Sequence, residues 1–172
     1  MDITQLILDD HAEQRRLFAI IEQIDHTDVE ALTKVWGRLS AFLDVHAEAE
    51  ERFFYPQLLK LGEGANDAED GTVEGETEDA IEDHNKLRDA VKAVDKYPVG
   101  TGAWIEAVGK ANVVNSKHMG EEERQGLTDF RRNAPVQTRH DLAVQFAAFE
   151  AEHILGVKPV NKDPETYIEQ HG

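Results

Sequence analysis

Apolar side chains recur every three or four residues through most of the chain, which is the spacing of one buried helix face. In residues 2–25 Ile3, Ile7, Phe18, Ile21 and Ile24 keep that spacing, and His11 and Gln14 fill the same stripe. Asp28 is placed to cap a second helix over 29–60, whose stripe runs Leu32, Trp36, Leu39, Leu43, His46, Glu50 and Phe53. A third helix over 77–96 carries Ile81, His84, Leu87, Val91 and Val94. A fourth over 102–131 carries Trp104, Val108, Ala111, His118 and Glu122. A fifth begins near Pro135, a favoured first-turn residue, and shows Leu142, Phe146, Phe149 and Ile154 before Gly156 stops it. No stretch alternates as a strand would. The spacing predicts an all-α chain, an up-down-up-down four-helix bundle with an additional fifth C-terminal helix packed outside it, over residues 1–156. Residues 157–172 contain Pro159 and Pro164 and little apolar content, and read as a loosely attached tail.

Between Leu61 and Asp79 the texture changes. Four glycines stand among eight acids with no Lys or Arg, so this stretch reads as a solvated, mobile connection. Over all 172 residues, 18 Lys and Arg face 35 Asp and Glu, a formal charge of −17. That balance excludes a phosphate-backbone partner and docking on an anionic membrane, both of which need clustered cations. The first residues carry no basic stretch followed by a long apolar run, so neither a signal peptide nor a membrane span is expected, and the location reads as cytoplasmic. Cysteine is absent, which excludes thiol catalysis, thiolate zinc sites and iron–sulfur clusters. Any bound metal must therefore be held by imidazole and oxygen.

Four histidines, His11, His46, His84 and His118, lie in the inward stripes, one per helix, 35, 38 and 34 residues apart. Counted from the expected helix ends, antiparallel neighbours match in depth to about 6 Å. The junction of the second and third helices fits worse, so either the second ends near Pro56 or the third begins inside the acidic connection. His46 and His118 each carry a glutamate four residues on, Glu50 and Glu122, on the same helix face. A lone inward histidine is more often a hydrogen-bonded core residue than a ligand, and a single His-x-x-x-Glu means little. Four imidazoles and two carboxylates converging at one depth are different, because buried without a cation they would leave costly unpaired charges. Nitrogen and oxygen donors without sulfur suit two iron or manganese ions, or zinc, better than calcium. His26, His140, His153 and His171 have no such setting. The ferritin-like alternative needs Glu-x-x-His on two helices, and the only such spacing is Glu150 to His153, on the fifth helix.

The series His11, His46-x-x-x-Glu50, His84, His118-x-x-x-Glu122, with Glu50-Glu51 followed by Phe53-Phe54-Tyr55-Pro56, resembles the hemerythrin-like (HHE cation-binding) family in its stand-alone bacterial type, over roughly residues 5–125. The resemblance implies a four-helix bundle around an oxo- or hydroxo-bridged di-iron centre, with Glu50 and Glu122 as bridging carboxylates and the four histidines as terminal ligands. Oxygen-carrying hemerythrins place a second histidine one turn from the third-helix histidine, where this chain has Ala80 and Arg88. Four terminal histidines instead of five leave two positions open rather than one, for water, a carboxylate or a tyrosine. Tyr55 is the best placed of the tyrosines. In an ideal helix it points about 140° away from Glu50, and it reaches the metal only if the helix is distorted at Pro56. The open position suits reaction with hydrogen peroxide or oxygen, a catalase-like or reactive-oxygen-consuming activity with no catalytic residue beyond the ligands. Reversible binding of O2 or NO, iron storage, or iron or oxygen sensing would use the same ligands. The third reading is a metal-free helical interaction protein.

Overall fold

The computed structural model describes residues 1–64 and 71–172. Helix α1 (Ile3–Gln23) starts where the Asp2 carboxylate accepts the Thr4 N–H at 3.0 Å, and α2 (Val29–Ala49) where Asp28 accepts that of Ala31 at 3.0 Å. The second helix does not continue evenly. Residues Glu50–Phe54 form a π turn, in which the Tyr55 N–H donates to the Glu50 carbonyl five residues back, before α3 (Tyr55–Leu61) resumes the ordinary winding. Pro56 supplies the local reason: it has no N–H, so a regular ladder would lose a bond here in any register.

Helix α4 (Val73–Val94) begins inside the acidic connection, earlier than the apolar stripe indicates. The Thr72 hydroxyl caps the Gly75 N–H at 3.1 Å, and Glu74 and Glu76 suit the positive end of the helix. This settles the depth mismatch in favour of the longer third helix. The part of that connection at 65–70 lies outside the described residues. The fourth helix, expected as one piece, breaks at Gln125 into α5 (Gly102–Arg124) and α6 (Gly126–Asn133). Gly126 sits against Leu58 and Phe54, where a Cβ would come to 3.2 Å of Leu58 Cδ2. Helix α7 (Val136–Glu152) ends before Gly156 and lies against α1 and α2, the expected fifth helix outside the four.

The tail is docked, which corrects the sequence expectation. Helix α8 (Pro164–His171) packs on α4 and buries Tyr167, and the Asn85 side chain exchanges two hydrogen bonds with the Lys162 backbone, at 2.6 and 2.9 Å. Hydrogen bonds rather than an apolar stripe hold this segment, so helical periodicity does not report it.

The core lies in two zones. Ile3, Ile7, Phe54, Leu58, Phe130 and Phe146 belong to one, and Leu17, Leu32, Leu39, Trp36 and Trp104 to the other. Between them, along all four bundle helices, runs a buried polar layer that contains the four histidines. No helix among the described residues is long and apolar enough to cross a membrane. Trp104 is 1 % exposed and meets Trp36 edge-on at 6.1 Å, in the zone remote from the π turn. Trp104→Ala is expected to lower the unfolding free energy by about 4 kcal/mol in a guanidinium titration, and to leave the metal content of the folded variant unchanged.

Candidate metal centre

The i and i+4 spacing on α2 and its π turn aims His46 and Glu50 at one point, while α1, α4 and α5 deliver His11, His84, and His118 with Glu122. Glu50 is fully buried and sits between two imidazole pairs. Its Oε1 lies 2.9 Å from His46 Nε2 and 3.8 Å from His11 Nε2. Its Oε2 lies 3.1 Å from His84 Nε2 and 3.9 Å from His118 Nε2. Two compact ligand groups result, His11–His46–Glu50 and Glu50–His84–His118, with Glu50 common to both. Glu122 joins from α5: its Oε2 is 3.2 Å from His11 Nε2, and its Oε1 accepts the Tyr55 hydroxyl at 2.6 Å.

These residues fit a cation. His11 Nε2, His46 Nε2, both Glu50 oxygens and Glu122 Oε2 are buried without an aligned hydrogen-bond partner, although each has a polar atom of the cluster close by. Such orphans are costly unless something else meets their lone pairs. The Nε2 atoms of His84 and His118 stand 3.0 Å apart. Two metal–nitrogen bonds of about 2.1 Å at a right angle would span that distance.

Three of the four imidazoles are held from behind by a carboxylate. His11 Nδ1 faces Glu123 Oε1 at 2.9 Å, His46 Nδ1 faces Asp10 Oδ2 at 3.2 Å, and His84 Nδ1 faces Glu51 Oε1 at 2.8 Å. A carboxylate only accepts, so it assigns the proton to Nδ1 and turns the Nε2 lone pair inward, the usual second support of a metal-bound imidazole. Sequence reading passed over Asp10, Glu51 and Glu123 in this role. Glu51 in turn is gripped by Arg88 Nη2, at 2.8 and 2.9 Å from its two oxygens. Arg88, one turn from His84, thus serves as an anchor for the support of that histidine.

The electrostatics follow from the crowding. Burial opposes charge on His11, but the adjacent carboxylates of Glu122, Glu123 and Glu50 raise its pKa from 6.5 to about 10. His46 and His84 are also raised against burial, the first by Glu50 and Asp10, the second by Glu50 and Glu51. Burial would push Glu50 up, yet His46, His11 and His118 hold it well below the ordinary carboxylate value. Glu51, despite burial, is brought to about 2 by His84 and Arg88. Burial and the neighbouring Glu122 and Glu50 push the Tyr55 phenol well above 10. These surroundings favour protonated imidazoles, and a cation at the Nε2 positions would displace such protons.

The π turn gives Tyr55 its place. The distortion at Pro56 on which its approach depends lies just before that residue, and the hydroxyl ends on Glu122, a bridging-carboxylate candidate. Beside it is a water-sized cavity of about 20 Å³ lined by Tyr55, Leu58, Ala80, His118, Glu122 and Gly126. The opposite side is covered: the Phe146 ring from α7 lies edge-on to His46 at 5.9 Å. Glu150, also on α7, joins Asp10 behind His46, and burial with the Asp10 charge pushes it to about 8. Its sequence partner His153 does not join, turning to the Phe149 carbonyl at 2.8 Å. His26, His140 and His171 belong to neither ligand group.

His46→Ala removes the imidazole closest to Glu50 Oε1, and elemental analysis of the purified variant is expected to show metal lost; two ions per chain in that variant would refute the role given to His46. The metal-free protein carries a pH signature as well. The raised His11 pKa contributes stability that is complete below 6.5 and is lost as pH rises through about 10. Its melting temperature is expected to fall across that window, as read by circular dichroism in chelator, whereas metal affinity rises with pH over the same range.

A family description, the hemerythrin HHE cation-binding domain, matches residues 2–128. No curated protein and no solved structure shows a significant match to the chain. The matched stretch spans well over half of the chain and contains all four histidines, both glutamates and Tyr55, with α7 and α8 beyond it. The fold, the two His–Glu groups and this match agree: the chain belongs to the hemerythrin HHE cation-binding family.

Proposed function

We propose that the protein holds two iron ions, oxo- or hydroxo-bridged, and that the centre reacts with hydrogen peroxide or oxygen in a catalase-like or reactive-oxygen-consuming role. The observation that carries this reading is Glu50, a fully buried carboxylate whose two oxygens each face a separate pair of imidazoles. One such residue serves two cations at once, and the imidazole–carboxylate donor set without sulfur suits iron. Two irons that change oxidation state together would supply the two-electron chemistry that peroxide disproportionation requires.

The chain's own residues determine what reaches that chemistry. His11, His46, His84 and His118 would occupy terminal positions, with Glu50 and Glu122 shared between the ions. The cavity beside Tyr55 has room for a molecule of about the size of water, in keeping with a small reactant such as peroxide, O2 or NO. Ala80, one turn before His84, contributes to this space. Tyr55 Oη holds its proton against Glu122 Oε1; releasing it would make the phenolate a further ligand at the cavity wall, and retaining it leaves a proton donor there.

Expression in iron-replete medium followed by metal quantification and an optical spectrum is the direct test. The expected result is two irons per chain with near-ultraviolet oxo-bridge absorption; a broad visible band that disappears in Tyr55→Phe would assign the phenolate as a ligand, and its absence the proton-donor role. Oxygen evolution from peroxide above the level of free iron is expected of the loaded protein. A stable reversible oxygen adduct in stopped-flow spectra, without oxygen evolution, would favour carriage over catalysis, and well under one iron per chain would refute the di-iron reading.

A further inference from the structure

The chain beyond α7 reaches the support of the centre at Glu51. Its side chain accepts from three directions: His84 Nδ1 at 2.8 Å, Arg88 Nη2, and the Lys162 ammonium, which contacts Glu51 Oε2 and also lies 2.9 Å from Glu48 Oε2. Lys162 is held in place by its own backbone, since Asn85, the residue after His84, accepts the Lys162 N–H and donates to the Lys162 carbonyl. The main chain of Glu51 is claimed as well. With the Tyr55 N–H committed to Glu50, the next donor along the widened ladder would be residue 56, and Pro56 has none. The buried Tyr167 hydroxyl takes that place, donating to the Glu51 carbonyl at 2.5 Å.

We infer that residues Lys162 to Tyr167 form a positioning strap for the metal centre: Lys162 orients the Glu51 carboxylate behind His84, and Tyr167 secures the π turn that directs Tyr55 to Glu122. The inference rests on the metal-centre reading for its consequence, and on hydrogen bonding alone for its geometry. Lys162 and Tyr167 are positioning residues, since neither touches the candidate ligands directly. Neither comes from α1, α2, α4 or α5, so the strap ties the order of the centre to the docking of a separate chain segment.

The test compares Lys162→Met, Lys162→Arg and Tyr167→Phe in the full chain, with Lys34→Met, which breaks an exposed pair with Glu30, as the control. Ferrous iron is titrated anaerobically against a chromophoric chelator. Lys162→Met and Tyr167→Phe are expected to weaken iron binding by about 10- to 100-fold, the range for lost outer support of a ligand. Lys162→Arg is expected to recover most of that loss, and Lys34→Met to match the parent. In the metal-free protein, nitrogen NMR is expected to show the His84 Nδ1 signal moved in Lys162→Met, and carbon–proton NMR the Tyr55 ring signals moved in Tyr167→Phe, with the His11 ring unmoved in both. Parent-like affinity and unmoved His84 and Tyr55 signals would overturn the strap, as would a lowered melting temperature as the only change. If the parent itself binds no iron, the metal reading falls and the NMR signals alone decide the strap.

Discussion

One carboxylate taken wholly out of water governs this molecule. Glu50 has no solvent contact, and a charge so placed is tolerable only if its surroundings return what hydration supplied. Four imidazoles surround it and leave its oxygens directed at a shared space, and they can face one residue only because four helices bring them to the same depth. The register of every bundle helix is thereby constrained, and the apolar core is divided into two zones by a polar layer. The carboxylates behind three of the imidazoles serve the same requirement, because they hold Nε2 directed inward.

Much of this was legible in the sequence. The stripes that carried His11, His46, His84 and His118 had helical spacing, and His46–Glu50 and His118–Glu122 shared a face by the i and i+4 rule. Asp28 as a cap and a helix outside the four also followed from local chemistry. The supports were not legible for a different reason. Asp10, Glu51 and Glu123 are three acids among 35, and composition this acidic conceals any one of them. The early start of α4 depended on a Thr72 cap within a glycine- and acid-rich stretch. The docking of α8 depended on Asn85, Lys162 and Tyr167 making hydrogen bonds across the fold, and these leave no periodic trace.

The two ends of the centre have different surroundings. Behind His46, α7 supplies an aromatic ring and a carboxyl. Beside His118 and Glu122, a small cavity and a phenol adjoin the same cluster. The difference originates in segments outside the matched domain on one side and in the π turn on the other. A nearly symmetric set of imidazoles and carboxylates is thus embedded in an asymmetric protein.

The π turn can also be viewed as one surplus residue wound into a helix. Remove it, and the segment from Tyr55 to Leu61 shifts in phase by about 100°; the phenol would leave Glu122, and the face that α3 turns to α6 and α8 would rotate with it. The chain therefore keeps an irregular winding, and the position of a single phenol depends on the length of chain between Glu50 and Phe54.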